Sequence, residues 1–321
     1  ALENGNYGLC FGSGLAAIDA VIKLLKAGDE VISTDDLYGG SYRIFTKIFE
    51  PLGIKFKFIS MKDTSQIEAA ITECTKLIWL ETPTNPMMNI IDIVAISTIA
   101  RRNSVLLAVD NTFATPYLQN PLDLGADIVM HSMTKYLGGH SDVLMGGLVC
   151  KEEVLAKKLY SIQNNCGAVS GPQDCFLVLR GIKTLHLRMQ RHCENGKAIA
   201  NYLKSHPKVD GVFWPGFEDH PNHDIAKRQM SDFGGMISFS LKVNKEEEAF
   251  KLMSNFKIFT LAESLGGVES LVCHPATMTH GAIPKAQRQK SGILDSLIRL
   301  SVGVEDVTDL MDDIDFAFNQ I

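Results

Sequence analysis

The sequence has 321 residues, 45% hydrophobic and 21% charged, with a formal net charge of −6, the profile of a globular chain of about two domains. No basic block points to nucleic acid, and no apolar run approaches the ~18 residues that a membrane-crossing helix needs. Seven cysteines (10, 74, 150, 166, 175, 193, 273) form no Cys-x-x-Cys pair, and an odd count fits reduced thiols in the cytoplasm.

The first residues read as the tail of a helix, so a further N-terminal arm is expected ahead of Ala1, which is not a methionine. Residues 6–11 read as a strand, and Gly12-Ser13-Gly14 turns into a helix over 15–26, with Leu15, Ile18, Val21, Ile22 and Leu25 on one face and Gly28 as its stop. Strands come next at 30–33, 55–59, 76–80 and 105–109, separated by helices at 41–51, 64–72 and 92–102. Two of the intervening loops are distinctive: Asp35-Asp36-Leu37-Tyr38-Gly39-Gly40, and Glu81-Thr82-Pro83-Thr84-Asn85-Pro86. Strand 127–130 runs into His131-Ser132-Met133-Thr134-Lys135, and 146–150 reads as one more strand. Such alternation predicts a mostly parallel α/β sheet covered on both faces. Around 172–200 the pattern becomes one long helix with Arg180, Lys183 and Arg191 on its polar side. Beyond it lie strands at 235–241 and 299–302, a helix at 245–255 and a terminal helix from about 305. We therefore expect a large domain over 1–178 and a smaller α+β domain over 179–321.

The chemistry gathers at strand ends, where open parallel sheets bind ligands. Lys135 comes after one strand, Asp110 closes another, and Ser132 and Thr134 supply hydroxyls. Lysine for an imine, hydroxyls for a phosphate and an acid for a pyridine nitrogen are what pyridoxal 5′-phosphate requires. Ser13 and Gly14 open a helix, whose free amides favour an anion. Gly12-x-Gly14-x-x-Ala17, with Asp35 and Asp36 after the next strand, also fits a dinucleotide fingerprint and an NAD-dependent oxidoreductase. That alternative leaves Asp110 and Lys135 without roles. Ser132-x-x-Lys135 matches the serine–lysine pattern of penicillin-recognising enzymes, but no Ser-Asp-Asn accompanies it. Asp110 could equally cap a turn, and Tyr38 could be a surface tyrosine rather than a stacking partner for a ring. Cys150, Cys166 and Cys273 read as small buried hydrophobes. His220-x-x-His223 sits in a Pro-Asn loop and is not read as a metal site.

Together with Ser13-Gly14-Leu15-Ala16-Ala17, the segments Val109-Asp110-Asn111-Thr112-Phe113, Gly139-His140-Ser141-Asp142, Ala262-Glu263-Ser264-Leu265-Gly266-Gly267 and Leu297-Ile298-Arg299-Leu300-Ser301 run in order along the chain. With the loops and the lysine segment above, they resemble the cystathionine γ-lyase/γ-synthase family of pyridoxal-phosphate enzymes, the Cys/Met metabolism group. The resemblance implies the fold type I, PLP-dependent transferase-like architecture. It implies that Lys135 carries the cofactor, Asp110 pairs with the ring nitrogen and Tyr38 stacks on the ring. Gly14, Leu15, Ser132 and Thr134 would hold the phosphate. Arg299, with Asn85 and Ser264, would bind the substrate carboxylate as a planar two-pronged donor. Glu263 would face the distal ammonium of cystathionine, which brings the resemblance nearest to the γ-lyases.

The activity implied is γ-elimination of L-cystathionine to cysteine, 2-oxobutanoate and ammonia, with hydrogen sulfide from cysteine as a side product. The γ-synthase reaction, addition of cysteine to an O-acylhomoserine, is the alternative. The resemblance also implies a homotetramer, a dimer of dimers with shared active sites. In the family a Tyr-Ser-Arg-type segment from the neighbour's N-terminal arm completes the phosphate site; that segment is not in this sequence. No metal, nucleic acid or membrane partner is expected.

Overall fold

The computed structural model describes residues 1–281, 283 and 285–321. A seven-stranded sheet has the order β1-β7-β6-β5-β4-β2-β3. Its strands are β1 (Tyr7–Phe11), β2 (Glu30–Thr34), β3 (Lys55–Ile59), β4 (Thr75–Glu81), β5 (Leu106–Asp110), β6 (Ile128–Ser132) and β7 (Gly146–Cys150). Strands β2 to β6 pair in parallel, and β7 runs antiparallel to both β6 and β1. The helices before the second sheet are α1 (Gly14–Ile22), α2 (Gly39–Ile44), α3 (Thr64–Ala70), α4 (Ile93–Arg102), α5 (Thr115–Leu118), α6 (Glu153–Cys166), α7 (Pro172–Ile182) and α8 (Leu185–Ser205).

The strands alternate two apolar faces, which is why they read as continuous hydrophobic runs. Val31, Leu77, Trp79, Ala108 and Met130 pack with α1 and α6. Their neighbours Ile32, Ile78, Leu80, Leu107 and Val109 pack with α3 and α4 on the opposite side. Caps fix where helices start. Ser13 accepts the Ala16 N–H at 3.1 Å, and Asp92 accepts the Ala95 N–H at 3.0 Å; each is worth about 1 kcal/mol.

The second sheet has the order β10-β11-β12-β9-β8. It comprises β8 (Val209–Phe213), β9 (Met236–Leu241), β10 (Thr260–Leu261), β11 (Leu271–Cys273) and β12 (Leu297–Ser301). With it lie α9 (His223–Gln229), α10 (Glu246–Ser254), α11 (Lys285–Lys290) and α12 (Val307–Phe318). Its core joins Ile199 and Leu203 of α8 to Phe239, Ile298, Leu310 and Ile314. Among the described residues no helix is long and apolar enough to cross a membrane.

The structure corrects several expectations. The first residues form a turn, with the Asn4 N–H donating to the Ala1 carbonyl at 3.0 Å, not a helix tail. Helix α1 stops at Ile22, because Leu24 and Leu25 donate to the carbonyls of Val21 and Ile22 in a tightened last turn. The helix expected over 41–51 is α2 continued by a wider π-type turn, Phe45–Phe49, and a 3₁₀ turn, Glu50–Leu52. The long helix over 172–200 is two helices, α7 and α8, and α6 precedes them unforeseen. Cys166 is exposed, not buried, and the Lys23 amine lies 3.5 Å from its sulfur.

The break between α7 and α8 is held by a residue the sequence disguised. Arg188 looks like a surface arginine on α8, yet it is 6% exposed. Its guanidinium donates to the Tyr136 carbonyl at 2.6 Å, the Gly181 carbonyl at 2.8 Å and the Thr184 hydroxyl at 3.1 Å. It thereby ties the loop after Lys135 to the end of α7. Lysine cannot span three acceptors in one plane. Arg188→Lys should therefore lower folding stability by about 3 kcal/mol, read by urea unfolding; an unchanged midpoint would show that these bonds contribute nothing.

Candidate active site

The carboxyl ends of β4, β5 and β6 open into one cavity of about 310 Å³. After β6 the chain turns sharply: the Lys135 N–H donates to the Ser132 carbonyl at 3.2 Å, and the Gly139 N–H donates to the Lys135 carbonyl at 2.7 Å. The Lys135 amine donates to the Ser264 hydroxyl at 3.0 Å. Burial first, then the Arg299 guanidinium, lowers its pKa to about 8.

Asp110 ends β5 and accepts the Thr112 N–H at 3.0 Å. Glu81 ends β4 beside it, in register on the neighbouring strand. Burial raises the Asp110 pKa, with the Thr112 hydrogen bonds and the nearby His131 opposing it. Burial, then the charge of Asp110, pushes Glu81 well above the usual carboxylate range. Two carboxyls so placed oppose each other's ionisation, and burial raises the pKa of both. Behind Asp110, the buried Glu3 carboxylate lies 2.6 Å from His131 Nε2 and accepts from the Asn111 amide at 2.7 Å.

At the α1 end, the Gly14 backbone approaches Ser132 so closely that a Cβ there would stand 3.0 Å from the serine Cβ. Gly14 and Leu15 belong to the first turn of α1, whose amides have no intrahelical acceptor. Ser132 and Thr134 line the cavity with them. This is a cradle of donors that suits a phosphate. The Thr134 hydroxyl also bridges the backbone of Met145, accepting from its N–H at 3.1 Å.

From the second sheet comes Arg299, in the middle of β12 and 2% exposed. It donates to Asn85 Oδ1 at 2.8 Å and to the Ser264 carbonyl at 3.2 Å, while its buried Nε–H has no partner among the described residues. A buried cation answered only by neutral oxygens is costly, and an incoming carboxylate supplies the missing charge. Glu263 is exposed at the cavity, and Tyr38 lines it at 37% exposure.

Gly14, Leu15, Tyr38, Asn85, Asp110, Ser132, Thr134, Lys135, Glu263 and Arg299 thus line a single cavity, and Ser264 meets it through Lys135. Lysine, strand-end aspartate, phosphate cradle and unanswered guanidinium together fit pyridoxal 5′-phosphate and an amino-acid carboxylate. Sequence reasoning missed Glu81, Thr112 and Thr279, which also line it. Glu81 was legible as the last residue before a Thr-Pro turn, but its nearness to Asp110 depends on strand order.

The rival readings do not fit this geometry. In a dinucleotide-binding unit β1 and β2 lie side by side; here β7, β6, β5 and β4 stand between them. The Lys135 amine bonds to Ser264, on the other sheet's side, and not to Ser132. His220 and His223 address the backbone carbonyls of Met88 and Pro215 at 3.0 and 2.9 Å.

Comparison with known proteins agrees with the geometry. The family model described as Cys/Met metabolism PLP-dependent enzyme matches residues 1–319. Cystathionine γ-lyase of Dictyostelium discoideum is 51% identical over 320 residues, covering 100% of this chain and 82% of that protein. Cystathionine β-lyase of Coxiella burnetii is 50% identical over 318 residues, covering 98% and 82%. A crystal structure of cystathionine γ-lyase from Lactobacillus plantarum complexed with L-serine superposes with a TM-score of 0.97 at 48% identity, covering 100% of this chain and 84% of that one. The chain therefore belongs to the Cys/Met metabolism family of PLP-dependent enzymes, a family of lyase fold and chemistry that takes pyridoxal 5′-phosphate as its cofactor.

Proposed function

We propose that the chain catalyses γ-elimination of L-cystathionine, releasing cysteine, 2-oxobutanoate and ammonia. One arrangement carries this reading: half-buried Lys135 shares a cavity with Arg299, whose partners are neutral oxygens, and with the exposed carboxylate of Glu263. Pyridoxal phosphate, when bound, supplies an electron-poor ring that takes up the electron pair left by a departing substrate proton. The Gly14 and Leu15 amides, with the Ser132 and Thr134 hydroxyls, would hold its phosphate. Asp110 would accept a hydrogen bond from the ring nitrogen, whose positive charge would favour the aspartate's ionised form. Tyr38 would cover the ring face.

Arg299 and Asn85 fix the substrate α-carboxylate, helped by Ser264, and Glu263 faces the distal ammonium. Neutral Lys135 takes the Cα proton at its Nζ. Once relieved of that proton, Lys135 Nζ would take one from Cβ; the electron pair left there would form the Cβ–Cγ double bond as the γ carbon–sulfur bond breaks, and the thiolate would leave as cysteine with a proton from the Tyr38 hydroxyl. Water completes the release of 2-oxobutanoate and ammonia. Hydrogen sulfide from cysteine belongs to the same proposal. A β-elimination reading, giving homocysteine, pyruvate and ammonia, is favoured by the name of the Coxiella burnetii relative.

The assembly we propose is a homotetramer of paired dimers in the cytoplasm. Tyr160, Phe176, Leu179 and Leu187 stand exposed on α6 to α8, the apolar kind of surface that subunit contact covers. We propose the division into large and small domains at 178/179, a reading supported by β1 to β7 preceding it and β8 to β12 coming after it, although residue 178 lies within α7.

With L-cystathionine, the expected products are 2-oxobutanoate and cysteine; pyruvate and homocysteine would favour the β-lyase reading. Turnover of an O-acylhomoserine plus cysteine in preference would favour the synthase. Lys135→Ala should abolish turnover, and near-normal activity would remove its assigned role. Arg299→Lys should raise KM by about tenfold or more with a smaller change in kcat, because it loses a two-pronged hold on a carboxylate. In the cofactor-free protein, acylation of Lys135 by an amine-directed reagent should rise with pH through about 8, since only the neutral amine reacts and the folded site favours that form. Peptide mass spectrometry reads it, and an inflection at about 10, the ordinary lysine value, would contradict the effect of burial.

A further inference from the structure

Two buried residues take hold of one peptide group. The Leu37–Tyr38 peptide donates its N–H to Glu81 Oε2 at 2.9 Å. Its carbonyl lies 3.1 Å from His280 Nε2, which is also 3.0 Å from the Asn85 carbonyl. Carbonyl oxygens only accept, so His280 carries its proton on Nε2 and shares it between the two. Its Nδ1 then accepts from the Thr279 hydroxyl at 2.8 Å. His280 is 1% exposed, and burial lowers its pKa to about 4, so the tautomer persists at neutral pH. The contact is close as well as bonded: a Cβ on Gly39 would stand 2.0 Å from the Thr279 carbonyl oxygen.

We propose that His280 and Glu81 are positioning residues that clamp the Leu37–Tyr38 peptide from its two ends, and that His280, through its second bond, sets Asn85 in the same register. Tyr38 and the carboxylate-binding Asn85 are then placed as one unit from the second-sheet side of the cavity. This rests on the roles proposed for Tyr38 and Asn85. Glu81 holds only the tyrosine loop, whereas His280 holds both loops, so the two differ in what their loss disturbs.

Four variants test it in the full-length enzyme. His280→Gln keeps an N–H at the reach of Nε2, and His280→Asn falls short. Glu81→Gln keeps the acceptor, and Glu81→Met removes it at similar volume. Displacing a catalytic group by a fraction of its size costs one or two powers of ten. His280→Asn should therefore lower kcat about tenfold and raise KM about tenfold. Glu81→Met should lower kcat about tenfold and weaken pyridoxal phosphate binding to the cofactor-free protein about tenfold, with KM within about threefold. Both Gln variants should stay within about threefold of the wild type. The double variant should lose no more kcat than the worse single one, because both act on one peptide.

Wild-type kinetics and cofactor affinity in either His280→Asn or Glu81→Met would overturn the proposal, as would equal losses in all four variants. If His280→Asn does not fold, Glu81→Met against Glu81→Gln decides. If the wild type does not turn over cystathionine, the substrate reading fails, but cofactor affinity still tests the clamp: loss in the Met variant and not in the Gln variants supports it.

Discussion

The structure turns on the burial of one amine among other charges. Lys135 sits just past the carboxyl end of β6, half-buried and near the Arg299 guanidinium. Desolvation and that neighbour both disfavour the ammonium, so this lysine gives up its proton more readily than an ordinary one. The acids answer in kind. Asp110 and Glu81 oppose each other's ionisation on adjacent strands, and a cationic ring nitrogen would favour the charged form of Asp110. A site that separates amine and carboxylate in this way needs a ligand bearing a cationic ring, a phosphate and a carboxylate to become electrically complete.

Two sheets are needed to build it. The first brings the ends of β4, β5 and β6 together, which is why one end of the molecule carries an acid, a second acid and a hydroxyl in a row. The second contributes Arg299 from the centre of β12, flanked by β9 and β11. An arginine in the middle of a buried strand costs free energy that packing does not return. Its position makes sense when the cation serves a ligand. Ser264 couples the two sides of the cavity, because it touches both Lys135 and Arg299.

Much of this was legible in the chain. Strands with two apolar faces read as continuous apolar runs, and the residues that break such runs, Asp110 and Lys135, are the ones that enter the cavity. The in-order segments then fixed the family. What did not show was anything that depends on which strands are neighbours. Glu81 reads as a loop residue until β4 lies against β5. His280 reads as one histidine in a polar stretch until it meets Leu37 and Asn85, far away in sequence. Arg188 fits a solvated helix face until α7 folds back on the lysine loop. Helix α6 was a different kind of miss: Leu155, Ala156 and Leu159 carry helical spacing, and the run from Glu153 had enough polar residues to pass for a connection.

The most direct test loads the protein with pyridoxal phosphate, reduces it with borohydride and maps the added mass by peptide. The account predicts a single pyridoxyl group on the peptide containing Lys135. The same group on another lysine, or on none, would contradict it.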